Sequence, residues 1–582
     1  MQLQCFVMVH ISTDKSLAED LTQDNFGFSN NFQVKHKLYF VHEFTTNFDN
    51  TTLSHNNLNL LDYLCSHKRM VMHYLLFTPI RTACFVPHFY SLVMDNAEIY
   101  AKQGHQVDIL YCDGKAINRC FYNYYGDKRV CKGCQMLRKY LFSYLTKTPN
   151  IRTLPISEYY DSTIDYSAVT PLKYASVEEI KSLEYKHSFI GYAALSTYLT
   201  ITRNLFPLID DEFQSYFNGL LIVAARLTDI AYCAIDRVKP DWVGVFNSRL
   251  VCCRPIVDVS KYLNQNFVSY EVRFDRNNKI SKQFYVNSTP HNIETNTKMI
   301  NDLWESQNVP TEEKRAIAQQ FFDKRRNAIA AADKVYIAGQ QSGLLPDDWD
   351  KTKHNIVIYN SSEDEFAALG TEYTAHALFS SQYQGIKYTF EKYRDRQDIH
   401  FYLRIHPNLK NVPYQYHKKL YELGSIKNVT VIPGDSPVST YTLMDNADKI
   451  IVFGTTVGFE AAFAHKPVIL LSESLYRYLD ITYVAQTIEE YDKLICDKTL
   501  QAKDNLGAYK LAYYLMNDEF APFEYYTDHE KKVYHIVKDF VLTRCMLKGS
   551  KISVYNCYLL QTIGKFFYDR SNRNIPEKEA VL

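Results

Sequence analysis

The chain has 582 residues, 46% of them hydrophobic and 22% charged, with 65 basic and 65 acidic side chains. This is an ordinary globular composition, long enough for two or three domains. A formal net charge of zero gives no electrostatic reason to expect a nucleic-acid or acidic partner.

Thirteen cysteines occur without a basic-then-apolar leader in the first fourteen residues, which points to free thiols in a reducing cytoplasm. No uncharged apolar run of about 18 residues is present, so no transmembrane helix is expected and any membrane contact would be peripheral. The aromatic share is 14%, with 47 tyrosines. It suits carbohydrate contact and is equally a product of genome base composition.

Residues 1–68 are polar and weakly patterned, and read as an N-terminal extension. Residues 71–78 read as a buried strand, 87–103 as a helix and 104–111 as a turn and second strand, which together make a βαβ unit. Its first turn has no G-x-G-x-x-G, so the signal for a nicotinamide cofactor is missing. Cys112, Cys120, Cys131 and Cys134 follow with the spacing C-x7-C-x10-C-x2-C. Four thiolates with one CxxC pair can hold a structural zinc, or they are buried small residues. Helices are predicted over 136–146, 187–205 and Asp211–Val238, the last ending at Lys239-Pro240. A strand over 241–246 runs into Asn247-Ser248-Arg249. A helix carrying Arg254 follows, then a strand over 266–270 ending at Glu271. These four polar residues stand at or just after strand ends, where α/β sheets bind ligands; each alone is also a plausible cap or surface ion pair. Residues 272–289 read as loop, and two charged helices at 297–307 and 311–333 read as an interdomain connector.

The stretch 354–471 is the best-patterned part of the chain. Apolar runs at 355–359, 401–405, Val429–Ile432, 449–453 and 467–471 predict five strands. After the first come Asn360-Ser361-Ser362 and the acids Glu363, Asp364 and Glu365, which read either as an anion site with a catalytic carboxylate or as a capped helix start. After the second comes Arg404-Ile405-His406-Pro407-Asn408. Proline fixes this turn and holds His406 at the sheet edge, where it can donate to a phosphate oxygen or act as general acid. Arg404 alternates with Ile405 and so serves to support the site more than to touch the ligand. After the fourth comes Gly454-Thr455-Thr456-Val457-Gly458-Phe459-Glu460. Small residues, two hydroxyls and a helix start suit a phosphate, with Glu460 placed to accept from ribose hydroxyls; the alternative is a threonine cap with a first-turn acid. The turn 434–441 reads mainly as a connecting loop. Beyond 471 helices are expected at 474–479, Ile488–Cys496, 500–516 and 530–547. A mixed apolar and basic segment, 551–570, is expected to pack back across the first domain, with lying on a membrane surface as the alternative.

Taken in order, Q-x-G-x-L-P, S-S-E-D-E-F, R-I-H-P-N, S-x-Y-x-L-M-D-N-A-D and G-T-T-V-G-F-E-A-A-F-x-H-K-P-V-I resemble bacterial capsule and lipopolysaccharide glycosyltransferases of the GT-B fold. The likeness is to the capsule polysaccharide synthesis group, which includes Kdo transferases using CMP-Kdo. It is strongest over 340–483. The His-Pro element is also similar to that of bacterial sialyltransferases, although their D/E-D/E-G element is not matched, since Phe366 follows Glu365. The resemblance implies an α/β, GT-B-like fold with two Rossmann-like domains facing a cleft: an acceptor domain over 69–290, a connector over 291–333, a nucleotide-sugar domain over 334–500 and C-terminal helices over 501–582. It implies that His406, Thr455, Thr456 and Glu460 hold a nucleotide-sugar donor.

Around these, Arg404, Ser361, Ser362, Gly454 and Gly458 are the further donor-side candidates. His406, Asp364 and Glu271 are the catalytic candidates, and Asn247, Arg249 and Arg254 face a glycan or glycolipid acceptor. No D-x-D stands at a strand end, so transfer without a catalytic metal is expected, on the cytoplasmic face of the inner membrane or free in the cytoplasm. A UDP-sugar 2-epimerase and a non-catalytic nucleotide-binding assembly protein are the competing readings.

Overall fold

The computed structural model describes residues 71–78, 88–120 and 148–517 with short gaps, scattered positions within 123–145, and three short strands outside these ranges. Two of these strands, Gln4–Met8 (β1) and Phe40–Thr45 (β2), pair antiparallel. The rest of the N-terminal extension, the helix expected at 530–547 and the segment 551–570 lie outside the described residues.

The first large sheet begins with His73–Thr78 (β3), Gln106–Tyr111 (β4), Ile151–Pro155 (β5), Trp242–Phe246 (β6) and Phe267–Phe274 (β7). These five are parallel, in the order β5-β4-β3-β6-β7. Numbered along the chain this is 3-2-1-4-5, the doubly wound order. All but the first residue of β3 is buried, and β6 is buried throughout, as helices on both faces of a parallel sheet require. The 28-residue helix Asp211–Val238 covers one face. Asp210 caps it by accepting from the Phe213 amide at 2.8 Å. By length and composition this helix is apolar enough to cross a membrane, but 67% of its apolar window is buried inside the fold, so that surface is already used by the core.

The segment expected as loop contains a strand. Ile280–Val286 (β8) pairs antiparallel with β7. Its polar residues hid it: Lys282 is buried because its Nζ meets Asp95 Oδ2 at 2.6 Å and Asn96 Oδ1 at 3.1 Å, partners nearly 190 residues away. Ala521–Pro522 (β14) adds to the outer edge of β8, so the chain returns to the first sheet after finishing the second.

The second sheet comprises His354–Tyr359 (β9), Ile399–Arg404 (β10), Val429–Ile432 (β11), Lys449–Val452 (β12) and Val468–Leu470 (β13). It is wholly parallel, in the order β11-β10-β9-β12-β13, again 3-2-1-4-5. The helices Ile293–Glu305 and Thr311–Arg326 are not a free connector. Phe321 stacks on Phe459 at 5.4 Å, and Trp304 meets Tyr513 edge-on at 5.9 Å, which builds both helices into the second core. Residues 475–480 form turns instead of the expected helix.

The carboxyl-terminal edges of the two sheets face one another. Arg249, just after β6, donates from Nη1 to the Glu365 carbonyl, just after β9, at 3.0 Å. Two Rossmann-like units that meet in this way form a GT-B-like arrangement.

Candidate functional site

In a doubly wound sheet the crevice opens where the strand order reverses, here between β9 and β12. A cavity of about 240 Å³ occupies this place. β9 supplies Asn360, Ser361 and Ser362, β10 supplies Arg404 and His406, and β12 supplies Gly454, Thr455 and Thr456. β10 and β12 are not neighbours: Arg404 and Val452 both register with Tyr359 of β9, from opposite sides. The His406 turn and the Gly454 turn therefore meet across the end of β9.

Arg404 is the cation at the heart of this cavity. It is 2% exposed and lines the cavity instead of only supporting it. Its Nη1 and Nη2 donate to the carbonyls of Pro433 at 2.6 Å and Ser436 at 3.1 Å, while Nε is buried without a partner. Among the described residues no carboxylate is bonded to it, and burial pulls its pKa below the ordinary guanidinium value. A buried charge is normally paired, so this one marks a place for an anion.

His406 is held in one tautomer. The Asn408 amide donates to Nδ1 at 3.2 Å, which leaves the ring proton on Nε2 as a donor. Asn360 Oδ1 accepts from the His406 amide at 2.8 Å, and Tyr336 meets the ring edge-on at 5.2 Å. Burial, with the charges of Arg203 and Arg404, pushes its pKa down to about 4. The ring is therefore neutral at physiological pH, which fits hydrogen-bond donation and not the general-acid role.

The serines are partly committed. Ser361 Oγ donates to the Phe453 carbonyl at 2.7 Å and accepts from Gln382 Nε2 at 2.7 Å, tying the end of β9 to the end of β12. Ser362 Oγ accepts from Asn408 Nδ2 at 3.1 Å. Gly454 has φ +79°, and a side chain there would meet the Glu473 carbonyl at 2.7 Å, so glycine is required. At Gly458 a side chain would run into the Tyr476 hydroxyl. Thr456 precedes the seven-residue helix Val457–Phe463 but makes no side-chain capping bond; its hydroxyl accepts from Arg325 Nη2 at 3.3 Å. Glu460 is a cavity residue with both oxygens engaged: Oε1 accepts from Arg325 Nε at 3.0 Å and Oε2 from the Tyr441 hydroxyl at 2.6 Å. It positions Arg325 and is not an open acceptor for ribose.

Arg325 escaped the sequence reading because it lies on a supposed connector helix, more than 130 residues from its partners. Basic residues gather in that helix's last turn, and nothing in the sequence says which of them turns inward.

The acids after β9 separate into three roles. Asp364 is gripped by Arg203 from the first unit, at 2.8 and 3.2 Å, so the structure places it in an interdomain ion pair. Glu363 Oε1 accepts from the Gln382 amide at 3.2 Å, and burial raises its pKa to about 7. Glu365 borders the cavity.

On the facing edge, Asn247 Nδ2 donates to Glu271 Oε2 at 2.7 Å, and the Val272 amide donates to Oε1 at 2.9 Å. Burial raises the Glu271 pKa. Arg249 links this pair to the cavity rim through Glu365. Arg254 opens the next helix, and its Nη1 donates to the Leu369 carbonyl at 2.6 Å. A residue absent from the sequence reading, His291, completes the cluster. Its Nε2 is buried without a partner, and burial with the charges of Arg249 and Arg254 pushes its pKa down to about 3.

Cys120, Cys131 and Cys134 all lie near Cys112. Asn123 Nδ2 donates to Cys131 Sγ at 3.1 Å, while Gln135 and Arg138 bond the carbonyls of Asp113 and Cys112. The Cys112 thiol is pushed up by burial and by the nearby Cys134, Cys120 and Cys131. Among the described residues no group of three or more His, Cys, Asp or Glu is placed to hold a metal ion.

Residues 276–514 match the family model described as capsule polysaccharide biosynthesis protein. The span encloses the whole cavity, Arg325 and His291, whereas Asn247–Glu271 and the cysteines precede it. No curated protein matches. Among solved structures, the beta Kdo 2,4 transferase KpsC of Thermosulfurimonas dismutans aligns at TM-score 0.32 and 13% identity, covering 47% of this chain and 79% of that one. The beta Kdo 2,7 transferase of the same organism aligns at 0.26 and 13%, covering 49% and 88%. The UDP-GlcNAc 2-epimerase of Neisseria meningitidis aligns at 0.21 and 13%, covering 77% and 98%.

Proposed function

We propose that this capsule-family chain is a glycosyltransferase that moves a sugar from a nucleotide-activated donor to a growing surface glycan. The observation that carries the reading is Arg404, a buried guanidinium without a carboxylate, facing a cavity at the strand-order reversal. The donor phosphate takes that place. Arg404 and the Nε2–H of His406 stabilise charge as it develops on the leaving phosphate oxygen, from donors that are already oriented. The bond between that oxygen and the sugar breaks, and an acceptor hydroxyl bonds to the sugar carbon. Glu271 takes the hydroxyl proton: it is the carboxylate candidate at the strand end facing the acceptor side, and burial raises its proton affinity, the direction a general base needs. Arg249, Arg254 and His291 orient the acceptor.

A thermal-shift screen against CMP, CDP, UDP and GDP tests the donor site, because a ligand bound only to the folded form raises the midpoint. Donor turnover then separates transfer from 2-epimerisation. In Glu271→Gln we expect turnover at least a hundredfold lower with nucleotide affinity kept; unchanged turnover would remove Glu271 from the mechanism. Transfer without a catalytic metal is part of the proposal, tested by turnover in a chelator. A structural zinc at Cys112, Cys120, Cys131 and Cys134 is a separate proposal, resting on their convergence and tested by metal analysis of the purified protein and its C131S/C134S variant.

A further inference from the structure

A second, larger cavity of about 730 Å³ lies on the first unit, away from the cleft. It is formed by the turn after β5, the last third of helix Asp211–Val238, the Lys186-His187 turn and the end of helix Arg254–Tyr262. None of the motifs used above falls in it.

Its walls are aromatic. Tyr262 is 53% exposed, yet its ring is fixed: it stacks on His187 with centroids 3.8 Å apart and planes 9° from parallel, and Tyr232 meets it edge-on at 6.3 Å. Tyr159 and Tyr160 stand on the other side. Such rings present an apolar body beside a polar tip, which suits a ligand of mixed character.

The turn that carries His187 is built against local preference. Lys186 and His187 have φ +46° and +65°, a left-handed setting that side chains disfavour and that persists only where the surroundings impose it. Here they do. The amides and carbonyls of Tyr185 and Ser188 pair at 2.9 Å in both directions. Asp229 accepts from Lys186 Nζ at 2.6 Å, Tyr185 at 3.0 Å and Tyr166 at 2.8 Å, and the Tyr232 hydroxyl donates to the Lys186 carbonyl at 3.0 Å. The outcome is a rigid ring platform at the mouth of a cavity.

The cations of this cavity are already engaged. Lys186 is held by Asp229. Arg237 donates to the Glu158 carbonyl at 3.1 Å and lies over the Tyr159 ring at 5.7 Å. A phosphate finds no spare positive charge, which argues against a nucleotide. Flat rings beside tyrosine hydroxyls and carboxylates instead match a pyranose, whose axial C–H face is apolar and whose rim is hydroxyls. The volume is that of an ordinary small-ligand pocket. Tyr262 and Arg254 stand at opposite ends of one helix, eight residues or about 12 Å apart along its axis at 1.5 Å per residue.

We propose that this cavity is a secondary glycan site that holds residues of the acceptor chain behind its reacting end, with Tyr262 and His187 as the stacking platform. The proposal rests on the reading of the chain as a glycan-extending enzyme. Its test is titration of the full-length protein with short oligosaccharides released from the producing cell's own surface polysaccharide, followed by tyrosine fluorescence and saturation-transfer NMR. Tyr262→Ala is expected to weaken binding at least tenfold, and Tyr262→Trp to retain it, with melting temperature and CMP or UDP affinity unchanged in both. Binding that Tyr262→Ala leaves intact, no binding by the wild type, or loss of nucleotide affinity in Tyr262→Ala would each overturn it. Oligosaccharide binding that depends on Tyr262 in a protein that turns over no donor would support the cavity and sink the transferase reading, so the two fail separately.

Discussion

Arg203 of the first unit holds Asp364 of the second with two guanidinium nitrogens, Nε at 2.8 Å and Nη2 at 3.2 Å, while Nη1 reaches the Asn408 carbonyl at 2.9 Å. The hydroxyls of Tyr414 and Tyr416 donate to the carbonyls of Thr202 and Arg203, both at 2.7 Å. Five bonds thus tie the end of one helix to the segments that follow β9 and β10. Asp364 is buried, so deleting its partner leaves a carboxylate uncompensated. Arg203→Ala is expected to cost about 3 kcal/mol, and the double variant with Asp364→Ala to recover part of it. A denaturation double-mutant cycle measures the difference. A catalytic Asp364 would instead show as lost turnover in Asp364→Asn with stability unchanged.

Arg404 should divide binding from folding. Arg404→Met removes the charge proposed to meet the phosphate, so nucleotide affinity is expected to fall at least tenfold, about 1.4 kcal/mol. Arg404→Lys keeps a charge but not the planar fork that reaches both the Pro433 and Ser436 carbonyls, and should recover little of the loss. Calorimetric titration with CMP and UDP reads both. Unaltered affinity in Arg404→Met would remove the phosphate from this cavity.

His406 carries a pH signature. Its folded pKa, about 4, lies below the ordinary value of about 6.5. The stability that belongs to this depression is fully present above pH 6.5 and is lost as pH falls toward 4. His406→Gln keeps an N–H donor but does not titrate, so its melting temperature should fall less than the wild type's between pH 6.5 and 4. Nucleotide affinity from pH 6 to 8 should show no inflection from this residue, because the ring is neutral throughout.

Glu363 has the opposite sign. Its folded pKa, raised by burial to about 7, lies above the ordinary carboxyl value, so its contribution is intact in acid and is lost as pH rises through 7. Glu363→Gln keeps an oxygen for the Gln382 amide. It should stabilise the protein by roughly 1–3 kcal/mol at pH 8 and make no difference near pH 4. Melting curves at the two pH values decide it.

Every strand of the second sheet was legible, because each is a mostly apolar run closed by a turn residue; Val429–Ile432 agrees end to end. The helices Asp211–Val238 and Ile488–Cys496 were equally clear, since both carry a cap, first-turn acids and a basic last turn. β8 was not, because Lys282 and Gln283 look solvent-seeking until Asp95 and Tyr514 are brought to them. The Arg404, His406 and Gly454 constellation was visible as residue types at strand ends. Its working roles were not: Glu460 is committed to Arg325 and Tyr441, and Asp364 to Arg203.

The sequence by itself determined the periodic elements, the glycines their turns require, and the polar residues placed where strands stop, because all of these depend on residues within a few positions of one another. Strand order, the reversal point at β9 and β12, the neutral state of His406, and the inward turn of Arg325 and His291 were decided only in the tertiary structure. Each depends on groups far apart along the chain, whose approach sets which charges are buried and which are paired, and a local pattern carries no record of either.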